Sequence, residues 1–156
     1  DVTGAMEKML LDTISKINEE FNKIFSELFE GGRAELIIES DGSILDCGIE
    51  VRAQPPGKKL QSISLLSGGE RALTAIALLF AILNTKATPF CVLDEIEAAL
   101  DDVNITRFTR YLKKVSKHTQ FILITHRKPT MEIADALYGI SMEETAVSKV
   151  LAVKMV

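Results

Sequence analysis

Three runs of this 156-residue chain hold side chains that could do chemistry together. Asp94-Glu95 closes the apolar run Phe90-Cys91-Val92-Leu93, Thr125-His126 closes Phe121-Ile122-Leu123-Ile124, and Leu66-Ser67-Gly68-Gly69-Glu70 precedes both. Open parallel sheets bind ligands beyond the carboxyl ends of their strands, which is where a reactive carboxylate pair belongs. Five carboxylates, Asp94, Glu95, Glu97, Asp101 and Asp102, fall between positions 94 and 102, and crowded anions of this kind repel unless a cation or water relieves them. Mg²⁺ favours one or two carboxylates together with phosphate oxygens and retained waters, which suits Asp94 as the metal-side acid. Glu95 is then the candidate base for an attacking water, a role worth roughly 10²–10⁴ in rate. The competing reading makes these acids an exposed cluster at a helix start, favoured by the helix dipole.

Ser67-Gly68-Gly69-Glu70 also has two readings. Ser followed three residues later by Glu is a capping box that opens a helix and needs no ligand. Two glycines in a first helical turn are nonetheless costly, roughly 0.8–1.0 kcal/mol each relative to Ala, and a cap gains nothing from them. Bare N–H groups at a helix N-terminus bind anions, so a phosphate could sit on Gly68 and Gly69 and receive the Ser67 hydroxyl. His126, on the same sheet edge as Asp94 and Glu95, could orient a water or sense a terminal phosphate, whereas His118, in a polar stretch without such neighbours, reads as surface. Absent is a phosphate-cradling loop of the form Gly, four residues, Gly-Lys-Ser/Thr. The nearest run, Gly57-Lys58-Lys59, has Arg52 where the first Gly must sit and Lys59 where the hydroxyl must sit. The residues thus read as half of a nucleotide-hydrolysing site.

Composition bounds the rest. The length fits one ordinary domain with an appendage, and a net charge of −4 argues against a whole surface built to grip nucleic acid. Cys47 and Cys91 lie far apart, the latter inside an apolar strand pattern, which fits a reducing cytosol. The longest apolar stretch, Ala75 to Leu83, has nine residues, against the ~20 that a bilayer span requires. The first residues lack a secretory pattern and read as partly cloning-derived.

Elements follow from periodicity. Met6, Leu10, Ile14, Ile17, Phe21, Ile24, Phe25 and Leu28 mark one face of a helix over 6–29, stopped by Gly31-Gly32, which serves equally as a core helix or as the stump of a coiled arm. A hairpin is expected over 34–39 and 45–53 around Ser40-Asp41-Gly42-Ser43, then an exposed loop from Pro55-Pro56-Gly57 to Ser64 and a buried helix over 68–84. The chain then alternates: strand 90–93, helix 102–115, strand 120–124, short helix 128–136, and β-like segments at 137–141 and 147–154. Alternation of this kind predicts an α/β fold with a mostly parallel sheet, and strands without polar alternation are expected to be covered on both faces. Arg107, Arg110, Lys113, Lys114 and Lys117 share an outer face of the 102–115 helix, either solvated or facing phosphates or an acidic partner.

In order and spacing, Leu66 to Glu70, Cys91 to Glu95, Ala99-Leu100-Asp101 and Thr125-His126-Arg127 resemble the signature loop, Walker B, D-loop and switch histidine of ABC ATPases. With Pro55-Pro56-Gly57-Lys58-Lys59 and Phe29-Glu30-Gly31-Gly32-Arg33-Ala34, the chain is similar to the C-terminal half of the head of prokaryotic SMC proteins, although the family more often has Gly at the position of Glu30. The resemblance implies a coiled-coil stump over 1–30 and a C-terminal head lobe over 31–156, with ATP and Mg²⁺ as cofactors. It implies that Asp94 helps hold the metal, Glu95 activates water, His126 contacts the γ-phosphate region, and Asp101 couples paired sites. Ser67, Gly68 and Gly69 would grip ATP bound to an opposing head. The implied partners are the N-terminal half carrying the phosphate loop, a second head, the winged-helix end of a kleisin, and DNA; the implied setting is cytoplasmic and nucleoid-associated, in chromosome condensation and segregation. The alternatives are a DNA-repair ABC ATPase with coiled arms and a non-catalytic scaffold for kleisin or DNA.

Overall fold

The computed structural model describes residues 2–39, 45, 47–86, 88–142 and 147–154. Helix α1 runs Val2–Phe29, and at a rise of 1.5 Å per residue its 28 residues span roughly 42 Å. Its apolar side chains are buried only towards the C-terminal end, at Phe21, Ile24, Phe25, Leu28 and Phe29, while Met6 and Met9 are exposed. The helix ends in a Schellman motif: Gly31 N–H donates to Ser26 O at 2.8 Å and Glu30 N–H to Glu27 O at 3.4 Å, with Glu30 left-handed at φ +58°. That conformation explains why Gly suits this position. Gly32, at φ +77°, has Gln54 O so close that any Cβ would collide with it, so the chain can leave α1 this way only without a side chain.

Strands β1 (Arg33–Ile38), β2 (Ile49–Gln54) and β3 (Gln61–Ser62) form an antiparallel sheet in that order. The predicted hairpin is present, with β2 starting at Ile49 rather than residue 45; its turn at Ser40-Asp41-Gly42-Ser43 lies outside the described residues. The free edge of β1 faces α1, where Asn18 Oδ1 accepts from Leu36 N at 2.7 Å and Asn22 Oδ1 from Ala34 N at 3.1 Å, satisfying donors that a bare edge would leave open. A 3₁₀ turn at Ile63–Leu65 replaces the end of the expected loop and leads into α2 (Gly68–Thr85).

Strand β4 (Phe90–Asp94), helix α3 (Asp102–Val115) and strand β5 (Gln120–Ile124) make a parallel crossover unit with Asp94 opposite Ile124. After the single turn of α4 (Lys128–Glu132), β6 (Ala136–Met142) and β7 (Ser148–Lys154) pair antiparallel. A mostly parallel sheet is therefore not what these residues form: among them β4–β5 is the one parallel pair, within a mixed α/β fold. A parallel connection needs a crossover of about a dozen residues or more, and the short spans joining β1 to β2 and β6 to β7 permit only antiparallel return. Nor are the strands covered on both faces. Cys91, Leu93, Phe121 and Leu123 face the core, while Phe90, Val92, Ile122 and Ile124 are exposed on the other side. Period-2 alternation between polar and apolar is missing because this second face is apolar too, although among the described residues nothing buries it.

The core is aromatic. Phe80 of α2 meets Phe108 and Tyr111 of α3 and Phe121 of β5 at centroid distances of 6.3, 5.0 and 6.1 Å, while Phe25 stacks on Phe29 at 4.1 Å. Such pairs favour offset or edge geometries and add to the area that they bury. Phe80→Ala should destabilise the fold by about 3–5 kcal/mol in denaturant titrations, the range for removing a fully buried ring; a loss near ~1 kcal/mol would show that these rings do not form one unit.

Candidate active site

Glu95 and His126 meet because parallel pairing brings the ends of β4 and β5 side by side. Glu95 N–H donates to Ile124 O at 2.9 Å, and Glu95 Oε1 lies 3.3 Å from His126 Nδ1, with both side chains more than half exposed. Glu95 is left-handed at φ +47°. For a non-glycine residue such a conformation costs about 1–3 kcal/mol and persists only where surrounding contacts over-determine it, a pattern that clusters at functional sites. The turn that Glu95 opens is closed by Ala98 N–H donating to its carbonyl at 3.0 Å.

The five carboxylates do not form one cluster. Asp94 and Glu95 are exposed at the strand end, Glu97 points inward and is 3% exposed, Asp101 caps α3, and the exposed Asp102 lies 3.5 Å from Arg127 Nη2. Among the described residues no group of three His, Cys, Asp or Glu is arranged to cage a metal. Asp94 and Glu95 offer hard oxygen donors on an open edge, which fits an ion such as Mg²⁺ that keeps waters and takes further oxygens from a phosphate.

Ser67 is the N-cap of α2 and the capping box is complete. Its hydroxyl accepts from Glu70 N at 3.4 Å and donates to Glu70 Oε2 at 2.8 Å, while Ser67 N–H donates to Glu70 Oε2 at 3.1 Å. Asp101 caps α3 by accepting from Asn104 N at 2.8 Å. Both residues thus have structural tasks of their own. Capping does not account for the glycines. A Cβ on Gly69 would sit 3.4 Å from Asn104 Nδ2 and 3.6 Å from Asp101 Oδ2, in ordinary contact, which brings the α2 start against the segment before α3. A Cβ on Gly68 would meet nothing within 4 Å. Its helical φ needs no glycine, so no contact among the described residues explains the missing side chain.

Lys58 is a part of the site that the sequence reading passed over as a functional residue. Its Nζ lies 2.8 Å from Glu70 Oε1 and balances that carboxylate at the mouth of this helix N-terminus. The Lys58 ammonium, reinforced by Ser67, holds the Glu70 carboxyl below the ordinary range despite partial burial. The roles of Thr125, Arg127 and Glu97 were missed as well, because Glu97 lies in a run of its own, 28 positions before Thr125, and no local pattern links it to the Thr125-His126-Arg127 run. Part of the basic face of α3 turns inward to the chain itself: Arg110 and Arg107 pair with Glu30, just past the end of α1, at 3.0 and 3.3 Å and Lys114 with Glu27 of α1 at 2.7 Å, while Arg110 and Lys114 stay largely exposed. These guanidiniums, Arg110 first, keep the Glu30 carboxyl below its usual range.

The family model described as RecF/RecN/SMC N terminal domain matches residues 6–149. The chain belongs to this family. It is 60% identical over 150 residues to the chromosome partition protein Smc of Bacillus subtilis (strain 168), an alignment covering 96% of this chain and 13% of that protein. The chain thus spans about an eighth of the length of such relatives. Its fold is that of SMC heads. It superposes with a TM-score of 0.86 and 41% identity on a chain solved in work on ATP-driven dimerization and DNA-stimulated activation of SMC ATPases, covering 95% of this chain and 89% of that one. With a TM-score of 0.84 and 40% identity it matches an Smc head domain with an extended coiled coil, bound to the C-terminal domain of ScpA, from Pyrococcus furiosus, covering 98% of this chain and 38% of that one. Among the described residues no helix is long and apolar enough to cross a membrane.

Because the folded-state Glu70 pKa lies below the ordinary value of 4.5, the stabilisation from its network is present above 4.5 and is lost as pH falls through the depressed value. Lys58→Met should move the Glu70 carboxyl titration, followed by carbon-13 NMR, back up towards 4.5. An unmoved midpoint would refute the assignment of Lys58 as its counter-ion.

Proposed function

We propose that this chain is the C-terminal half of an SMC ATPase head, with α1 as the base of a coiled-coil arm and residues 31–156 as the C-terminal lobe. Its residues supply the water-activating side of a composite ATP site. The observation that carries this reading is the Glu95–His126 pair, held at 3.3 Å on an open strand edge by a left-handed Glu95. The chain lacks a phosphate-cradling loop of its own, and the apolar face of β4 and β5 stands uncovered, as a lobe made to join the phosphate-loop half would leave it.

Glu95 takes the proton from an attacking water, and His126 orients the reacting phosphate end. Asp94 is the ligand for Mg²⁺, which when bound draws charge from the phosphate oxygens. Ser67, Gly68 and Gly69 grip the ATP carried by an opposing head. Gly68, with open space where a Cβ would stand, lets that phosphate approach the backbone N–H groups. To donate to the phosphate, the Ser67 hydroxyl turns its single hydrogen away from Glu70 Oε2 while still accepting from Glu70 N, so the cap survives binding. Lys58 cancels the Glu70 charge that would otherwise repel the anion. Asp101, capping α3 beside Gly69, couples one site to the other. Engagement of two heads therefore assembles the catalytic constellation, a gating that links turnover to association.

By likeness to the chromosome partition proteins, the whole protein works in chromosome condensation and segregation, cytoplasmic and nucleoid-associated, with DNA and a kleisin winged-helix domain as partners. Calorimetry should detect no tight Mg-ATP binding to this chain alone, and adding the phosphate-loop half should produce slow hydrolysis. Glu95→Gln should lower that hydrolysis by roughly 10²–10⁴ while ATP-dependent pairing of heads persists. Tight binding by the lone chain, or normal turnover in the variant, would overturn this reading.

A further inference from the structure

Glu97 is the one buried carboxylate among the described residues, with 3% of its surface exposed, two positions beyond Glu95. Its Oε1 accepts the hydroxyl hydrogen of Thr125, the residue immediately before His126. A carboxylate withdrawn from water is costly unless hydrogen-bonded, and an apolar side chain of similar size commonly fills such a space at no loss of stability. What an apolar residue cannot do is fix a particular partner. We propose that Glu97 and Thr125 are positioning residues for hydrolysis, locking the turn after β4 to the end of β5 so that Glu95 and His126 face each other. This rests on the reading of Glu95 and His126 as the hydrolytic pair.

The connections around the lock are continuous. Thr125 Oγ1 donates to Glu97 and accepts from Arg127 N at 3.0 Å, so the hydroxyl is engaged in both directions. Arg127 Nη2 donates to Leu100 O at 3.3 Å and reaches Asp102 Oδ1 at 3.5 Å. On the other side of His126, Ile124 O accepts from Glu95 N at 2.9 Å. Residues 124, 125 and 127 are thereby each tied to the 95–102 segment, and His126 between them has its ring 3.3 Å from the Glu95 carboxylate. The same ties over-determine the left-handed backbone of Glu95, whose cost would otherwise drive the turn to relax and the carboxylate to swing away. The lock acts through the two residues it holds.

The test uses the assembled head, this chain together with the phosphate-loop half, and the variants Thr125→Val, Glu97→Leu, Thr125→Ser and Glu97→Gln. Thr125→Val and Glu97→Leu should lower kcat by up to roughly 10²-fold, the scale expected of an ångström-sized misplacement, with KM for ATP and ATP-dependent pairing unchanged. Thr125→Ser and Glu97→Gln, which retain a hydroxyl donor and an oxygen acceptor, should stay near the parent, and the double variant Glu97→Leu/Thr125→Val should be no slower than the worse single one. Apart from turnover, hydrogen exchange at the Arg127 amide should speed up in Thr125→Val. If Glu97→Leu does not fold, Thr125→Val against Thr125→Ser decides. Faster exchange at Arg127 with an unchanged kcat would overturn the positioning role and leave Glu95 as base. Equal loss in the conservative and the disruptive variants, or loss of KM and pairing together with kcat, would reduce the pair to ordinary structural support and overturn it too. Full hydrolysis by Glu95→Gln would instead sink the hydrolytic reading, and this inference with it.

Discussion

The register of β4 on β5 is the constraint on which the candidate site depends. With Asp94 opposite Ile124, the strands end together, and the residues that follow, Glu95 and Thr125-His126, emerge side by side. Side chains alternate along a strand, so a slip of one residue would turn Leu93 and Leu123 outward and exchange which face each following residue occupies. The register is held by burial: Leu93 is nearly inaccessible, and Phe121 packs edge-on to Phe80 at 6.1 Å. Phe80 belongs to α2, which Ser67 caps and whose first turn carries Gly68 and Gly69, so one aromatic cluster sets the helix start and the strand end in a single frame. Close packing makes that frame stiff, because interiors at crystal-like density leave little room for independent drift.

Groups in this chain divide by whether their partners lie within it. Ser67 and Asp101 cap helices, Glu70 pairs with Lys58, Glu97 with Thr125, and Glu30 with Arg107 and Arg110. Against that background three features stand without a partner among the described residues: the open position of Gly68, the outward-facing Asp94, and the bare apolar face of β4 and β5. Capping and binding are compatible at Ser67, because a hydroxyl has two lone pairs and a hydrogen that can turn. The basic residues of α3 serve the interior as well, fastening the base of α1 rather than facing solvent alone.

Much of the local structure was legible in the residues. The period of α1, its stop near Gly31, the Ser67 capping box, the start of α2 and the strand character of 90–93 and 120–124 all rest on interactions within a few positions of one another; Glu95 and His126 became candidates because each follows an apolar strand, and the Asp101 cap emerged only with the structure. The mostly parallel sheet failed as a prediction because alternation was extended to β6 and β7, where no crossover helix separates the strands and the return must be antiparallel. Expected cover on both faces failed for a different reason: an apolar run records that a strand is to be buried, not whether the burying surface belongs to the same chain.

What tertiary structure alone decided is which distant side chains meet. Thr125 and Glu97 are 28 positions apart and Arg110 and Glu30 are 80 apart, and no local pattern links them. The left-handed Glu95 likewise appears only once the end of β5 and the turn after β4 are both in place. By itself the sequence determined most of the elements and the capping box at Ser67, and it proposed the candidate reactive groups, because propensity and periodicity act over one or two turns. The placement of those groups against each other came from packing, which sums weak contacts across the whole core and has no counterpart in any short run of residues.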